Sequence, residues 1–281
     1  METNPVKILV IGAGVNGSIV AAKLHNAGVH VTVLARGQRY AALRDQGIII
    51  EDPLKHQRTQ AKVPVIDALA PDDVYDYVLV VVRRNQVADL LPVLASNRSP
   101  NVVFMHNNPS GPAEYAAIGK ERVLLGFVFG AGRREGKVIH GMAATGGWMR
   151  MAATPFGEVD GAVTPRVSRL VEILKQAGFN AQVSRHMPDW QASHAILRPS
   201  LALPIRRYKL DVRALAEAEA SLRLMVDSMP EALDVLHAAG YRLVPGTTGV
   251  VRWVPRGLTR ALLRWVLPTR WRAHAFAGGT Q

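Results

Sequence analysis

Three glycines, several arginines, a pair of asparagines and one histidine have the types and spacing that can do chemistry. The run Gly12-Ala13-Gly14-Val15-Asn16-Gly17 has the spacing G-x-G-x-x-G. In such a turn the first glycine permits the tight bend, the second lets the backbone approach a pyrophosphate, and the third lets the following helix pack closely. The helix N-terminus then faces the anion. Gly12, Ala13, Gly14, Val15, Asn16 and Gly17 are therefore expected to bind a dinucleotide. An acidic residue at the end of the next strand would bond the ribose 2′-hydroxyl of NAD. This chain has Ala35, Arg36, Gly37, Gln38 and Arg39 there, with no carboxylate until Asp45. Arg36 is placed to grip a 2′-phosphate in bidentate fashion, which points to NADP.

Two later clusters have the same character. Arg83, Arg84, Asn85 and Gln86 follow the apolar run Asp76–Val82, and His106, Asn107 and Asn108 follow Asn101–Met105. Ligands of open parallel sheets lie beyond the carboxyl ends of the strands, so both clusters are placed to meet the cofactor. The amide of Asn107 can hold a carboxamide or polarise a carbonyl without changing charge. Trp190, His194 and Arg198 recur at four-residue spacing and share one face of a helix. The histidines show no pair with metal-ligand spacing, and no structural metal is expected.

These residues must be positioned by a βαβ unit: an apolar strand Lys7–Ile11, a helix Ser18–Ala27 with small residues facing inward, and a strand Val29–Leu34. A helix is read at Tyr40–Gln46 and a strand at Gly47–Glu51, leading into a polar loop through Thr59. Further strands are read at Val63–Ile66, Asp76–Val82, Asn101–Met105 and Arg122–Phe129, with a helix at Gln86–Ala95. The β-branched continuity of Asp76–Val82 is that of a strand covered on both faces. Lys137–Met142 and Trp148–Ala153 read as antiparallel strands around Thr145-Gly146-Gly147. Thr164 and Pro165 supply the N-cap and first position of a helix to Ala177, Asn180–Ser184 is a short strand, and the pattern is mainly helical from Pro188. The expected fold is α/β: a Rossmann-type parallel sheet domain at 1–162 and a smaller, mainly helical domain at 163–281 for substrate binding and dimerisation. The transition spans residues 160–187.

The 281 residues are 48% hydrophobic, enough for a real core, and contain no cysteine, which excludes disulfides, a thiolate nucleophile and cysteine metal sites. Nothing resembles a signal peptide, and no apolar segment of about 18 residues exists, so a cytoplasmic protein with no membrane span is expected. The net charge of +12 is concentrated late: no acidic residue follows Asp234, while arginines stand at 242, 252, 256, 260, 264, 270 and 272. A phosphate-bearing cofactor and an anionic substrate also call for positive potential, and no nucleic-acid module is recognised. Gly257–Leu267 reads as an amphipathic helix with Leu258, Leu262 and Trp265 on one face and Arg256, Arg260 and Arg264 on another. Such a helix docks its apolar stripe on its own domain or a twin subunit, or lies on an anionic membrane or acidic partner.

Over roughly the first 200 residues the order of motifs resembles the ketopantoate reductase (2-dehydropantoate 2-reductase) family. The resemblance rests on the glycine turn, Arg36, Arg83 in Val-Val-Arg-Arg-Asn-Gln-Val, Asn107 after a histidine, Gly132 before Arg133-Arg134-Glu135-Gly136, and the helix at Asp189-Trp190-Gln191-Ala192-Ser193-His194. It implies NADPH-dependent reduction of a small 2-keto acid anion, with Arg83 and Gly132 on the cofactor and Asn107 touching nicotinamide and substrate. The family's catalytic lysine falls at Ala192, its asparagines at Ile196 and Ser200, and its late serine and glutamate find no counterpart between Asp211 and Gln281. This is a divergent member by that reading. Hydride delivery builds negative charge on a carbonyl oxygen, so a proton donor is wanted. His194 is the nearest titratable residue and is expected as the acid/base, although two helical residues rotate it about 200° from Ala192. A catalytically silent NADP-binding sensor or assembly protein on the same fold is the alternative.

Overall fold

The computed structural model describes residues 5–52, 56–128, 130–143, 153–209 and 211–267. The chain forms two compact units, one of residues 1–106 and 112–187 and one of residues 107–111 and 188–281.

The first unit opens with β1 (Lys7–Ile11), α1 (Val15–Asn26) and β2 (His30–Leu34), followed by α2 (Gly37–Gln46), β3 (Ile48–Asp52), β4 (Gln57–Ala61), β5 (Val65–Ile66) and β6 (Tyr77–Val80). Two 3₁₀ turns and α3 (Leu91–Ser96) lead to β7 (Val102–Phe104), and a 3₁₀ segment, Pro112–Ile118, precedes β8 (Val123–Gly126). Then come β9 (Gly130–Glu135), β10 (Val138–Ala143), β11 (Thr154–Glu158), α4 (Pro165–Gln176) and β12 (Ala181–Val183).

Eight strands form one sheet in the order β12-β11-β8-β7-β6-β1-β2-β5. It is parallel throughout its centre, and only the β11–β8 pairing is antiparallel. Ile8, Leu9, Val10, Val78, Leu79, Val80, Val102 and Val103 are all fully buried, which is why their runs are continuous rather than alternating. From β1 the chain builds outward through β2 and β5, then returns to β6 and builds the other way. The switch point, where such sheets bind ligands, lies between β1 and β6.

A second sheet of order β4-β3-β10-β9 was not foreseen in the sequence. The polar segment read as a loop through Thr59 is β4, antiparallel to β3. Its side chains are exposed up to Ala61, so backbone pairing holds it and no apolar alternation marks it. Lys137–Met142 corresponds to β10, and its antiparallel partner is β9, joined to it through Gly136 and Lys137. The expected turn at Thr145 and the strand from Trp148 lie outside the described residues apart from Ala153, and the next strand is β11. Helix α1 packs against both sheets, so Gly17 through Ala22 and Leu24 are buried and the helix has no polar face to read.

The helix at Pro165 starts as expected, with Thr164 Oγ1 accepting from the Val167 amide at 3.4 Å. It packs on the sheet beside β12. Both elements belong to the first unit, which runs to Met187. Buried Glu158 ties this end together: Oε1 accepts from Thr164 Oγ1 at 2.5 Å and Arg166 Nε at 2.7 Å.

The second unit contains α5 (Met187–Arg207), α6 (Val212–Glu217), α7 (Glu219–Ala238) and α8 (Arg256–Val266). Ile205, Leu215, Leu222, Met225 and Leu267 form its core, with Leu263 packed against it. The apolar stripe Leu258, Leu262 and Trp265 is exposed and so does not dock on its own unit. Glu219 of α7 draws in Arg260 and Arg264, which turns the arginine side of α8 toward α7 and the stripe outward.

Removing the Glu158 carboxylate leaves the Arg166 guanidinium, which is only one-quarter exposed, without its counter-ion and with only the Nη1 contacts to Asn101 Oδ1 and the Glu121 carbonyl. Glu158→Ala is expected to lower the unfolding free energy by about 2 kcal/mol, read by urea denaturation at pH 7.

Candidate active site

The first unit places the glycine turn at the carboxyl end of β1. Gly12 has φ +107°, and a Cβ there would strike the Val81 carbonyl just past β6. Gly17, in the first turn of α1, lies so close to the Gly12 carbonyl that a methyl group has no room. The turn thus sits at the β1–β6 switch point because two side chains are absent. Gly14 has open space where its Cβ would be. It is the N-cap of α1, no side chain caps that end, and no acid stands in the first turn. The first amides of α1 and the positive end of its dipole therefore suit an anion such as a pyrophosphate.

Arg36 is the N-cap of α2 at the end of β2, exposed, and β2 pairs with β1 in parallel register. Arg39, one turn further, was not singled out in the sequence. Its Nε donates to the Ala13 carbonyl at 3.1 Å, one terminal nitrogen to Ser18 Oγ at 3.1 Å and the other to the Lys137 carbonyl at 3.3 Å. Burial, and after it Arg134, lower its pKa to about 10. Arg39 clamps the glycine turn to α2 and to the β9–β10 hairpin. The only signal for it was a second arginine one helical turn after Arg36.

Gly132 lies in β9 opposite Gly141, and a Cβ there would stand 3.1 Å from Cγ1 of Val15. The structure thus brings Gly132 to the start of α1. Of the two arginines after β6, Arg84 pairs with Glu114 at 3.5 Å, whereas Arg83 is exposed and caps a 3₁₀ turn, its amide donating to Gln86 Oε1 at 3.2 Å. Beyond β7, His106 is buried and its Nε2 meets Tyr115 Oη at 2.8 Å. Tyr115 in turn stacks on Phe104, with centroids 3.8 Å apart. Nδ1 of His106 has no partner among the described residues. Burial, with Arg84 second, lowers the His106 pKa to about 4.

A concavity of about 790 Å³ lies at the opposite, amino ends of the strands, lined by Lys7, His30 and Tyr75 among others, and takes no part in this arrangement. Among the described residues no group of three or more His, Asp or Glu is arranged so that it could hold a metal ion.

The second unit brings together Asn107 and His194, which are far apart in sequence. His194 Nδ1 lies 2.7 Å from Asn107 Oδ1, so Nδ1 carries the hydrogen and the amide oxygen accepts it. The imidazole stacks on Trp190, with centroids 5.0 Å apart and planes 9° from parallel. Helix α5 is fixed on another side by Ser193 Oγ, which donates to the Arg242 carbonyl and accepts from the Val244 amide at 3.1 Å. Ala192 is buried. Desolvation first, and then the charge of Arg198, lower the His194 pKa to about 3. The Trp190–His194–Arg198 face read from the sequence exists. Its histidine donates a hydrogen bond to Asn107, and its pKa is held well below the ordinary imidazole range.

The family described as "Ketopantoate reductase PanE/ApbA" matches residues 8–155. The 2-dehydropantoate 2-reductase of Archaeoglobus fulgidus is 30% identical over 178 residues, which cover 63% of this chain and 55% of that protein. The chain spans less than two thirds of the length of the curated relatives it matches. Among solved structures, a PanE/ApbA family ketopantoate reductase from Ralstonia eutropha JMP134 superposes with TM-score 0.70 at 20% identity over 88% of this chain and 79% of that one. D-mandelate dehydrogenase, in a ternary structure with NADH and anilino(oxo)acetate, does so with TM-score 0.73 at 14% identity over 98% and 84%. These likenesses show the fold. The chain belongs to the ketopantoate reductase PanE/ApbA family.

The two depressed histidines set an acid limit. Below the ordinary imidazole pKa of 6.5 the unfolded chain protonates both, whereas the folded chain does so only near pH 4 for His106 and near pH 3 for His194. Their contribution is present above pH 6.5 and is lost as pH falls, because unfolding then takes up as many as about two protons. Proton NMR is expected to show neither imidazole titrating between pH 8 and pH 5, while the urea midpoint falls over the lower part of that range.

Proposed function

We propose, with membership of that family as the premise, that the chain is an NADPH-dependent oxidoreductase transferring hydride between the cofactor and a small 2-keto or 2-hydroxy acid. The observation that carries the reading is an uncapped α1 N-terminus at the end of β1 beside an arginine, and no carboxylate, at the end of β2. The donor set fits the group. Gly12, Ala13, Gly14, Val15, Asn16 and Gly17 would hold the pyrophosphate, Arg36 the 2′-phosphate, and Arg83 and Gly132 the remainder of the cofactor. NADPH, when bound, supplies the hydride.

As hydride reaches a carbonyl carbon, negative charge collects on the oxygen. We assign its stabilisation to the Asn107 amide. His194 occupies Oδ1, so the amide is turned to present its Nδ2 hydrogens, and a donor already oriented costs no reorganisation in the transition state. His194 acts through Asn107 and is a positioning residue. The proton that completes the alcohol comes from water, since a neutral imidazole whose Nδ1 hydrogen is engaged has none to give at pH 7. The helical unit, which contains both residues, is the part we assign to the substrate.

A second reading has its own observation. Ala192 stands where the resemblance places the catalytic lysine, and it is buried. A catalytically silent NADP-binding sensor or assembly protein would keep the turn and Arg36 and show no turnover.

Nicotinamide fluorescence titrations separate these readings. The wild type is expected to bind NADPH more tightly than NADH, and Arg36→Ala to weaken NADPH about tenfold or more while leaving NADH nearly unchanged, as for loss of a charge-assisted contact. Binding of neither nucleotide would remove the oxidoreductase reading. Binding with no turnover across a broad 2-keto acid panel would favour the silent protein.

Where turnover is found, Asn107→Ala is expected to lower kcat by about 10²-fold or more. His194→Phe should lower kcat about tenfold with KM nearly unchanged, and His194→Gln, which retains an N–H donor, should recover part of the loss. A large KM effect with unchanged kcat would overturn the assigned roles.

A further inference from the structure

Arg39 and Ser18 grip the glycine turn from within at a single atom. The Ala13 carbonyl accepts from Arg39 Nε at 3.1 Å and from Ser18 Oγ at 3.3 Å, and Ser18 Oγ itself accepts from a terminal nitrogen of Arg39 at 3.1 Å. Ala13 and Ser18 are buried, whereas Gly14 is exposed. The peptide between Ala13 and Gly14 is trans, and in a trans peptide the C=O and N–H point in opposite directions. With the Ala13 oxygen drawn inward by two donors, the Gly14 N–H is turned outward, to the exposed side of the turn. It donates to nothing among the described residues. Standing beside the uncapped first turn of α1, it joins the amides that suit an anion.

The same side chain brings charge. Arg39 donates to two carbonyls and one hydroxyl, and no carboxylate meets it among the described residues. Arg134 comes from the second sheet. It lies two residues after Gly132 and so on the same face of β9, the face on which a Cβ at Gly132 would meet Val15 of α1. Arg134 has no ion pair among the described residues either, and its charge acts on Arg39. Guanidinium groups gathered without a counter-ion repel each other, and an anion bound beside them relieves that repulsion. The diphosphate of a dinucleotide is such an anion. We propose that Arg39 is a positioning residue for that diphosphate: through Ala13 it holds the Gly14 amide outward, and its charge adds to that of the α1 N-terminus. The inference rests on the dinucleotide reading above and extends it to a group that NADPH and NADH share.

Binding titrations of Arg39→Met test it. By nicotinamide fluorescence, NADPH and NADH are both expected to weaken by the same factor, about tenfold or more, as for loss of a charged donor. In calorimetric titration 2′-AMP, which has the 2′-phosphate and no diphosphate, should bind nearly as before. Arg36→Ala should give the reverse pattern, losing NADPH and 2′-AMP and keeping NADH. Ser18→Ala removes the second donor to the Ala13 carbonyl and should weaken both nucleotides about threefold. It decides alone should circular dichroism show Arg39→Met unfolded. Unchanged affinity for both nucleotides overturns the proposal. So does a loss confined to NADPH, which puts Arg39 on the 2′-phosphate, or one that extends equally to 2′-AMP, which makes its role structural. A wild type that binds neither nucleotide removes the dinucleotide reading and the inference with it, whereas the other outcomes leave that reading standing.

Discussion

The approach of α1 to the end of β1 is the constraint on which the rest of the first unit depends. With no Cβ at Gly17, the first turn of the helix rests on the Gly12 carbonyl, and with none at Gly12 the bend passes against the Val81 carbonyl. The uncapped amides of α1 are therefore held at the place where the sheet reverses its building direction. Everything nearby reinforces that placement. Arg39 bonds to Ala13 and Ser18, and the second sheet covers the helix on its other side. A side chain at either glycine would displace the helix end and scatter the donors it presents.

In the second unit the arrangement favours dipoles over charges. Asn107 and His194 meet through a hydrogen bond, the imidazole stacks on Trp190, and Ala192, where the resemblance places a lysine, is buried. Membership of the family and the proposed difference in its chemistry rest on different residues. The matched region, 8–155, carries the glycine turn, Arg36 and Asn107, whereas the missing cation belongs to α5 beyond it. In our reading a preoriented amide does electrostatic work that a nearby cation would otherwise share.

Charge placement also explains α8. A stripe of leucine and tryptophan would ordinarily seek the core, but Glu219 and Asp227 on α7 hold the arginines of the other side, and Leu263 and Leu267 fill the space beneath. Which of two faces is buried was decided by the partner helix.

The sequence by itself determined the elements whose signals are local. Lys7–Ile11 is a strand with the bounds read from its apolar run, the helix N-cap at Thr164 is where its hydroxyl and the following proline put it, and the helical character after Pro188 holds. Glycine spacing alone located the turn. Tertiary structure decided what depends on partners distant in sequence. Strand β4 is polar and exists through backbone pairing with β3, and β9 is a strand because β10 lies beside it. Arg39 acquires its role from two carbonyls and a hydroxyl distant in sequence, and the pKa of His194 is lowered by burial and Arg198, which no spacing rule reports. Periodicity and capping are written in neighbouring residues and survive in one dimension. Desolvation, strand pairing and the choice of buried face are properties of an environment that exists only once the chain has folded.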